Sequence, residues 1–347
     1  MNISTMRWRR GIALPSALRP AGRAVEWLVL LLVAGAAGCL THAPKGGHDS
    51  SAALDSYMRV THPDADTVSL QIALRRFTPE KGRGPVIWLA GASHIGESNY
   101  FAALQRHLDT QSLVLFEGVG AKSKKVMFNA EEDVSVQHTL AASLGLEFQL
   151  SAIDYDRPQF QNSDLTLGQL QQLLLSGRGA GDAGSANKAS QDFEALLQIM
   201  DGSSWLGALV QVGLKFIGSS PKLRAMTKVL LIETLGQLKG DMSQIKGVPP
   251  EVQRLLAVII QERNRVVLDD LAAALRSPRR PPSISVFYGA GHMADLQQRL
   301  RSDLKYRPRE AVWLTALSVN TREAGLSSSD LEAMRGLVRW QLESLQP

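Results

Sequence analysis

A single cysteine, Cys39, stands among 347 residues, so no disulfide can form within the chain and its stability must come from a packed core. Aromatic residues are sparse at 6%, yet 44% of the chain is hydrophobic and 20% charged, proportions that exclude a disordered tail, a collagen-like fibre and a disulfide-stapled miniprotein. Apolar runs long enough to span a bilayer, about 20 residues, are missing; the run Trp27 to Ala37 has eleven. Gly-x-Ser-x-Gly, His-Glu-x-x-His and phosphate-loop motifs are absent too, which removes the common serine hydrolase, zincin and nucleotidase readings. A basic body is also lacking. The first 38 residues hold five arginines (Arg7, Arg9, Arg10, Arg19, Arg23) against one acid (Glu26), so they account for +4 of the net +5 and leave about +1 for the rest. That is no footprint for nucleic acid, and no nucleic-acid partner is expected.

What is present begins with an address. An arginine-bearing leader, the short apolar run and Ala36-Ala37-Gly38-Cys39 follow one another, and the last four residues resemble the lipobox of bacterial lipoproteins. On that resemblance residues 1–38 are a signal peptide and Cys39 is acylated, tying the chain to a membrane. An ordinary secretory signal with a chance cysteine, or an uncleaved anchor, is the alternative. Residue 40 is Leu and not Asp, which by the sorting rule of enteric bacteria favours the outer membrane and a periplasm-facing envelope protein. Residues 39–55 are polar, Gly-rich and non-periodic, as a tether should be, and carry His42 and His48 into solvent.

The body, 56–347, opens with Val68, Leu70, Ile72 and Leu74 alternating with Ser69, Gln71 and Ala73, the period of a half-buried strand. Val86 to Ala90 is apolar throughout, as in a central strand covered on both faces. A helix (Ser98 to Leu108), a strand (Leu113 to Phe116), a helix (Glu131 to Leu144) and an extended stretch (Phe148 to Ile153) continue the alternation that specifies parallel α/β architecture. Residues 165–277 read as a large helical insertion. It holds a Gly/Ala/Ser-rich break (Ser176 to Ser190), an apolar helix (Trp205 to Ile217) and a long helix running from Pro249-Pro250 to Leu275. Strand Ile284 to Tyr288, helix Asp295 to Leu304, strand Ala311 to Leu317 and a helix near Ser329, with Ser329 and Glu332 at capping-box spacing, close the chain. The expected fold class is α/β, with a central mostly parallel sheet built from two related strand-helix-strand units.

Those two units carry the chemistry. Gly91-Ala-Ser-His94 and Gly289-Ala-Gly-His292 each put an imidazole three residues after a glycine at the end of a strand, and Glu117 follows a third strand. In open parallel sheets ligands bind at that edge. Two imidazoles and a carboxylate from three strand ends suit a divalent transition metal, although a hydrogen-bonded structural histidine is the plainer reading of either one alone. Glu97, three residues after His94, is either a site acid or a helix-dipole residue. Arg263 is either a site cation or an exposed helix charge paired with Glu262 or Asp270. His107 and His138 sit in helical patterns as surface or second-layer groups. Asp154 and Asp156 could reach the edge, but a loop salt bridge with Arg157 is the simpler expectation.

Together Gly91-Ala-Ser-His94, the Leu113 to Glu117 strand, Glu262-Arg263-Asn264 and Gly289-Ala-Gly-His292 resemble the paired Gly-x-x-His motifs, strand-end glutamate and helical arginine of the TraB/GumN family, which includes the Tiki proteases. The resemblance spans roughly residues 84–318. It implies a fold related to erythromycin esterase and to the haem-binding lipoprotein ChaN. It also implies a metal-dependent hydrolase acting on peptide or protein substrates. Carried onto this chain, His94, His292 and Glu117 become ligands of a divalent metal (Mn, Co or Zn) or acid/base groups, and Arg263 and Glu97 assist catalysis. A non-catalytic haem- or metal-binding envelope lipoprotein, or a structural lipoprotein with a vestigial site, are the alternatives.

Overall fold

The computed structural model describes residues 56–118, 136–176, 213–237 and 258–344. Cys39 with its leader and tether, the start of the Glu131 helix, nearly all of the Gly/Ala/Ser-rich break, Trp205 to Val212 and Pro249-Pro250 lie outside the described residues.

Nine strands are described: β1 (Met58–Thr61), β2 (Thr67–Pro79), β3 (Val86–Ala92), β4 (Ile95–Gly96), β5 (Leu113–Phe116), β6 (Glu147–Phe148), β7 (Phe160–Asn162), β8 (Ser283–Gly289) and β9 (Tyr306–Asn320). Seven form one sheet in the order β9-β2-β3-β8-β5-β7, with β1 beside the first half of β2. β3, β8, β5 and β7 pair in parallel, while β2 is antiparallel to β1, β3 and β9. It follows that six strands run one way and β2 alone runs against them, the mostly parallel sheet of an α/β fold.

Burial on both faces explains the unbroken apolar runs. Along β3, Ile87 and Leu89 face one core while Ala90 and Ala92 face the other; on β8, Val286 and Tyr288 oppose Phe287 in the same way. β2 is therefore not half-buried as its alternation suggests. Of the supposed outer face, Ser69 and Ala73 are buried and Gln71 is partly so; Ala73 joins the second core, and beyond it Arg75 is buried against Gln297 and the Tyr57 ring.

Helices α1 (Ser98–Asp109), α2 (Val136–Leu144), α3 (Leu167–Ser176), α4 (Pro221–Gly236), α5 (Arg263–Arg276), α6 (Met293–Ser302) and α7 (Ser328–Ser344) cover the sheet. α1 lays Tyr100, Phe101, Leu104 and Leu108 on one face, and α5 and α6 lay Val267, Leu271, Met293, Leu296 and Leu300 on the other. α7 is capped by Ser327 and not by Ser329: Ser327 Oγ accepts from the Asp330 N–H at 3.1 Å and Asp330 Oδ2 accepts from the Ser327 N–H at 2.9 Å. The reciprocal pair sits two residues earlier than the Ser329/Glu332 spacing suggests, because Asp330 closes the box as well as a glutamate does.

One expected strand is corrected. Of the Phe148 to Ile153 stretch only Phe148 belongs to a strand, β6, and Gln149–Ala152 forms a helical turn. The Gln149 N–H is taken by the His94 carbonyl at 2.8 Å and its side-chain amide donates to the Tyr155 hydroxyl at 2.9 Å, which turns the chain. The fourth parallel strand is instead β7, three residues long.

The connections decide where a site can form. From β3 the chain crosses by α1, over β8, to β5; from β8 it crosses by α6, on the opposite face, back past β3 and β2 to β9. Neighbouring parallel strands β3 and β8 thus send the chain in opposite directions. Their carboxyl ends form the switch point, the place where doubly wound folds bind ligands.

Candidate functional site

His94 lies two residues beyond β3, His292 ends the 3-10 turn Ala290–His292 after β8, and Glu117 follows β5 directly. A fourth strand end, that of β7, brings Asp164. Strand-end spacing thus gathers both histidines and the glutamate at one edge. The glycines of the two motifs do not act through left-handed backbone, since neither has a positive φ. Gly91 is needed for closeness, as a Cβ there would stand 3.1 Å from Ile72 and 3.2 Å from the Ala73 carbonyl. Gly289 presents its N–H to Glu117 Oε2 at 2.7 Å.

Arg263 belongs to this site. It is buried at 5% exposure in the first turn of α5, and its guanidinium forks onto Asp164, Nε to Oδ1 at 2.9 Å and Nη2 to Oδ2 at 2.7 Å. The same Nη2 reaches Glu117 Oε1 at 2.6 Å. The surface alternative is excluded, because Glu262 pairs with Arg265 and Asp270 accepts from Ser163 Oγ. Asp164, whose side chain is 0% exposed, also accepts the N–H groups of Gly118 and Leu165. Tyr288 donates its hydroxyl to the Ser163 carbonyl and sets its ring edge-on to His292, 5.3 Å between centroids.

Electrostatics follow from this burial. Desolvation disfavours a charged Glu117, but Arg263 first, then the two histidines and the Gly289 N–H, outweigh it and hold the carboxyl far below the usual carboxylate range. Burial, with Arg263 pushing the same way and Glu117 opposing, brings His292 down to about 4. Burial likewise lowers His94, again against Glu117. Burial works against the charge on Arg263, yet Glu117 and Asp164 raise its pKa well above normal. At neutral pH the edge therefore holds two neutral imidazoles beside one fixed carboxylate.

His292 Nε2 and Glu117 Oε1 face each other at 3.9 Å, too far for a hydrogen bond. The His292 Nδ1 lies 2.8 Å from Asn264 Oδ1, and Asn264 Nδ2 donates to the His292 carbonyl at 3.2 Å and to Asp295 Oδ2 at 2.8 Å. His94 influences Glu117 electrostatically without touching it, and its ring makes no hydrogen bond among the described residues. Among the described residues no three His, Cys, Asp or Glu side chains form a ligand group as they stand.

Other candidates fall elsewhere. Glu97 pairs with Lys228 of α4 at 3.1 Å and does not join the Arg263 network. Asp154 pairs with Arg157 at 3.0 Å in an exposed loop, as expected. His107 packs edge-on against Trp88, a second-layer group, and His138 edge-on against Phe148.

Asp164 escaped the sequence reading, and Asn264 entered it only beside Arg263 in the Glu262-Arg263-Asn264 motif, with no role of its own. Asp164 follows a strand too short to show periodicity. Asn264 did carry a signal: Ile260, Asn264, Val267 and Leu271 recur at helical spacing and are all buried, so an amide lies on an otherwise apolar stripe. Comparison with family models, curated proteins and solved structures finds no match to this chain.

Proposed function

We propose that the sheet edge at the carboxyl ends of β3, β8 and β5 is the active site of a TraB/GumN-type, metal-dependent hydrolase that cleaves peptide bonds in peptide or protein substrates. In this reading Cys39 carries a lipid that anchors the protein to a cell-envelope membrane, facing the periplasm and favouring the outer membrane. The observation that carries the proposal is the meeting of the His292 imidazole and the Glu117 carboxylate at 3.9 Å with no hydrogen bond between them, where burial holds the ring's pKa down and Arg263 holds the carboxyl's down.

The donor chemistry fits a divalent cation (Mn, Co or Zn). Both imidazoles are neutral, as ligation requires, and Glu117 stays deprotonated at every physiological pH. His94, His292 and Glu117 would hold it, and when bound it would polarise a carbonyl and acidify a water.

The chain's own groups do the rest. Arg263 spends Nε and Nη2 on Asp164 and Glu117, and its Nη1 makes no bond among the described residues. That nitrogen is free to donate to a substrate oxygen as it gains charge, from a buried and fixed position. Glu117 binds a proton too weakly to carry one at neutral pH, so its part is to hold charge. Proton movement falls to the imidazoles, with His94, whose ring makes no hydrogen bond among the described residues, the freer of the two.

Incubating the full chain with Mn²⁺, Co²⁺ or Zn²⁺ and a mixed peptide library, read by mass spectrometry, tests the reading. Cleavage products are expected from the wild type and lost in His94→Ala, His292→Ala and with chelator. Equal cleavage in all of them would overturn it.

A further inference from the structure

We infer that Asn264 is a positioning residue which, braced by Asp295, fixes the tautomer of His292 so that the nitrogen facing Glu117 is the one without a hydrogen. The inference concerns a residue behind the site and rests on the proposed function only for its use, not for its geometry.

The amide of Asn264 can be oriented in one way only. Its Nδ2 lies within bonding distance of the His292 carbonyl and of Asp295 Oδ2, and both of those are acceptors. Rotating the amide by half a turn would set oxygen against two oxygens. The side-chain oxygen therefore points at His292 Nδ1, 2.8 Å away. An amide oxygen can only accept, so Nδ1 must carry the hydrogen and a neutral ring must leave Nε2 bare. That bare lone pair is the one aimed at Glu117.

The brace is built from neighbours in sequence. His292 and Asp295 stand one helical turn apart at the start of α6, so a single amide from α5 reaches both. Asp295, 8% exposed, is itself held by Arg299, with Nε 2.9 Å from Oδ2. Asn264 is 0% exposed, so bulk solvent does not reach its oxygen. Every member of the relay from Arg299 through Asp295 and Asn264 to His292 has one role that its partners permit. Such a partner behind an imidazole ligand sets ring orientation and raises its strength as a donor.

The test starts with the full wild-type chain labelled with ¹⁵N-histidine at neutral pH, the His292 signals assigned by their loss in His292→Gln. A pyrrole-like Nδ1 and a pyridine-like Nε2 are expected; the opposite pattern would overturn the inference without any variant. In Asn264→Leu the two tautomers should mix, and in Asp295→Asn, whose amide oxygen can still accept from Asn264, the wild-type pattern should persist. Affinity for Mn²⁺, Co²⁺ and Zn²⁺ should weaken about 10–100-fold in Asn264→Leu. An unchanged tautomer in Asn264→Leu would refute the positioning role. A wild type that binds no metal yet shows the Nδ1–H tautomer would instead count against the proposed function while leaving this inference standing.

Discussion

Arg263 is the residue on which the site's charge balance turns. Its single positive charge bridges two carboxylates, Glu117 and Asp164, whose side chains are 14% and 0% exposed. Removing it leaves both acids buried and uncompensated, so Arg263→Ala should cost about 3–5 kcal/mol in urea unfolding. A cost below about 1 kcal/mol would mean the network is solvated. Histidines set the pH response. His292 and His107 are both brought down to about 4, in each case first by burial, and His94 is lowered for the same reason. In the unfolded chain they titrate near 6.5, so between about 6.5 and 4 the unfolded state binds more protons than the folded one. Stability should be fullest above 6.5 and fall as the pH drops towards 4. His107→Leu removes one of the three, and His107 Nε2 is buried without a partner. Denaturation midpoints of this variant should decline less steeply through that window, and a slope equal to wild type would refute the assignment.

Elements were legible where one strong pattern decided them. β3 reads as a central strand because its apolar run has no polar face, β5 and β8 read as strands, and Gly91, Gly289, His94, His292 and Glu117 could be placed at their ends by counting. Patterns failed where tertiary contact decided. β7 is three residues long, and the Phe148 to Ile153 stretch was turned by the bonds of Gln149 to His94 and Tyr155. For Arg263 the sequence leaves a site cation and an exposed helix charge both open, because helical spacing alone does not say which strand end its guanidinium meets. The α7 cap shows the same limit at one helix end: two serines have suitable spacing, and only hydrogen bonding selects Ser327. Ser327→Ala should therefore cost about 1 kcal/mol in thermal or urea unfolding, and Ser329→Ala less than half of that. The reverse order would restore the Ser329 cap.

At the scale of the molecule, chain direction makes the site. β3 and β8 are neighbours whose crossovers leave in opposite directions on opposite faces, so two similar Gly-x-x-His turns meet at one sheet edge. β5 and β7 add Glu117 and Asp164, and α5 brings Arg263 and Asn264 to the same edge. The central claim is that this edge is a metal-dependent hydrolytic centre. Its most direct test is metal content, by inductively coupled plasma mass spectrometry, of the full chain beside the His94→Ala/His292→Ala double variant after incubation with Mn²⁺, Co²⁺ and Zn²⁺. The account predicts near-stoichiometric metal in the wild type and little in the variant. Metal missing from both, or equal in both, would contradict it.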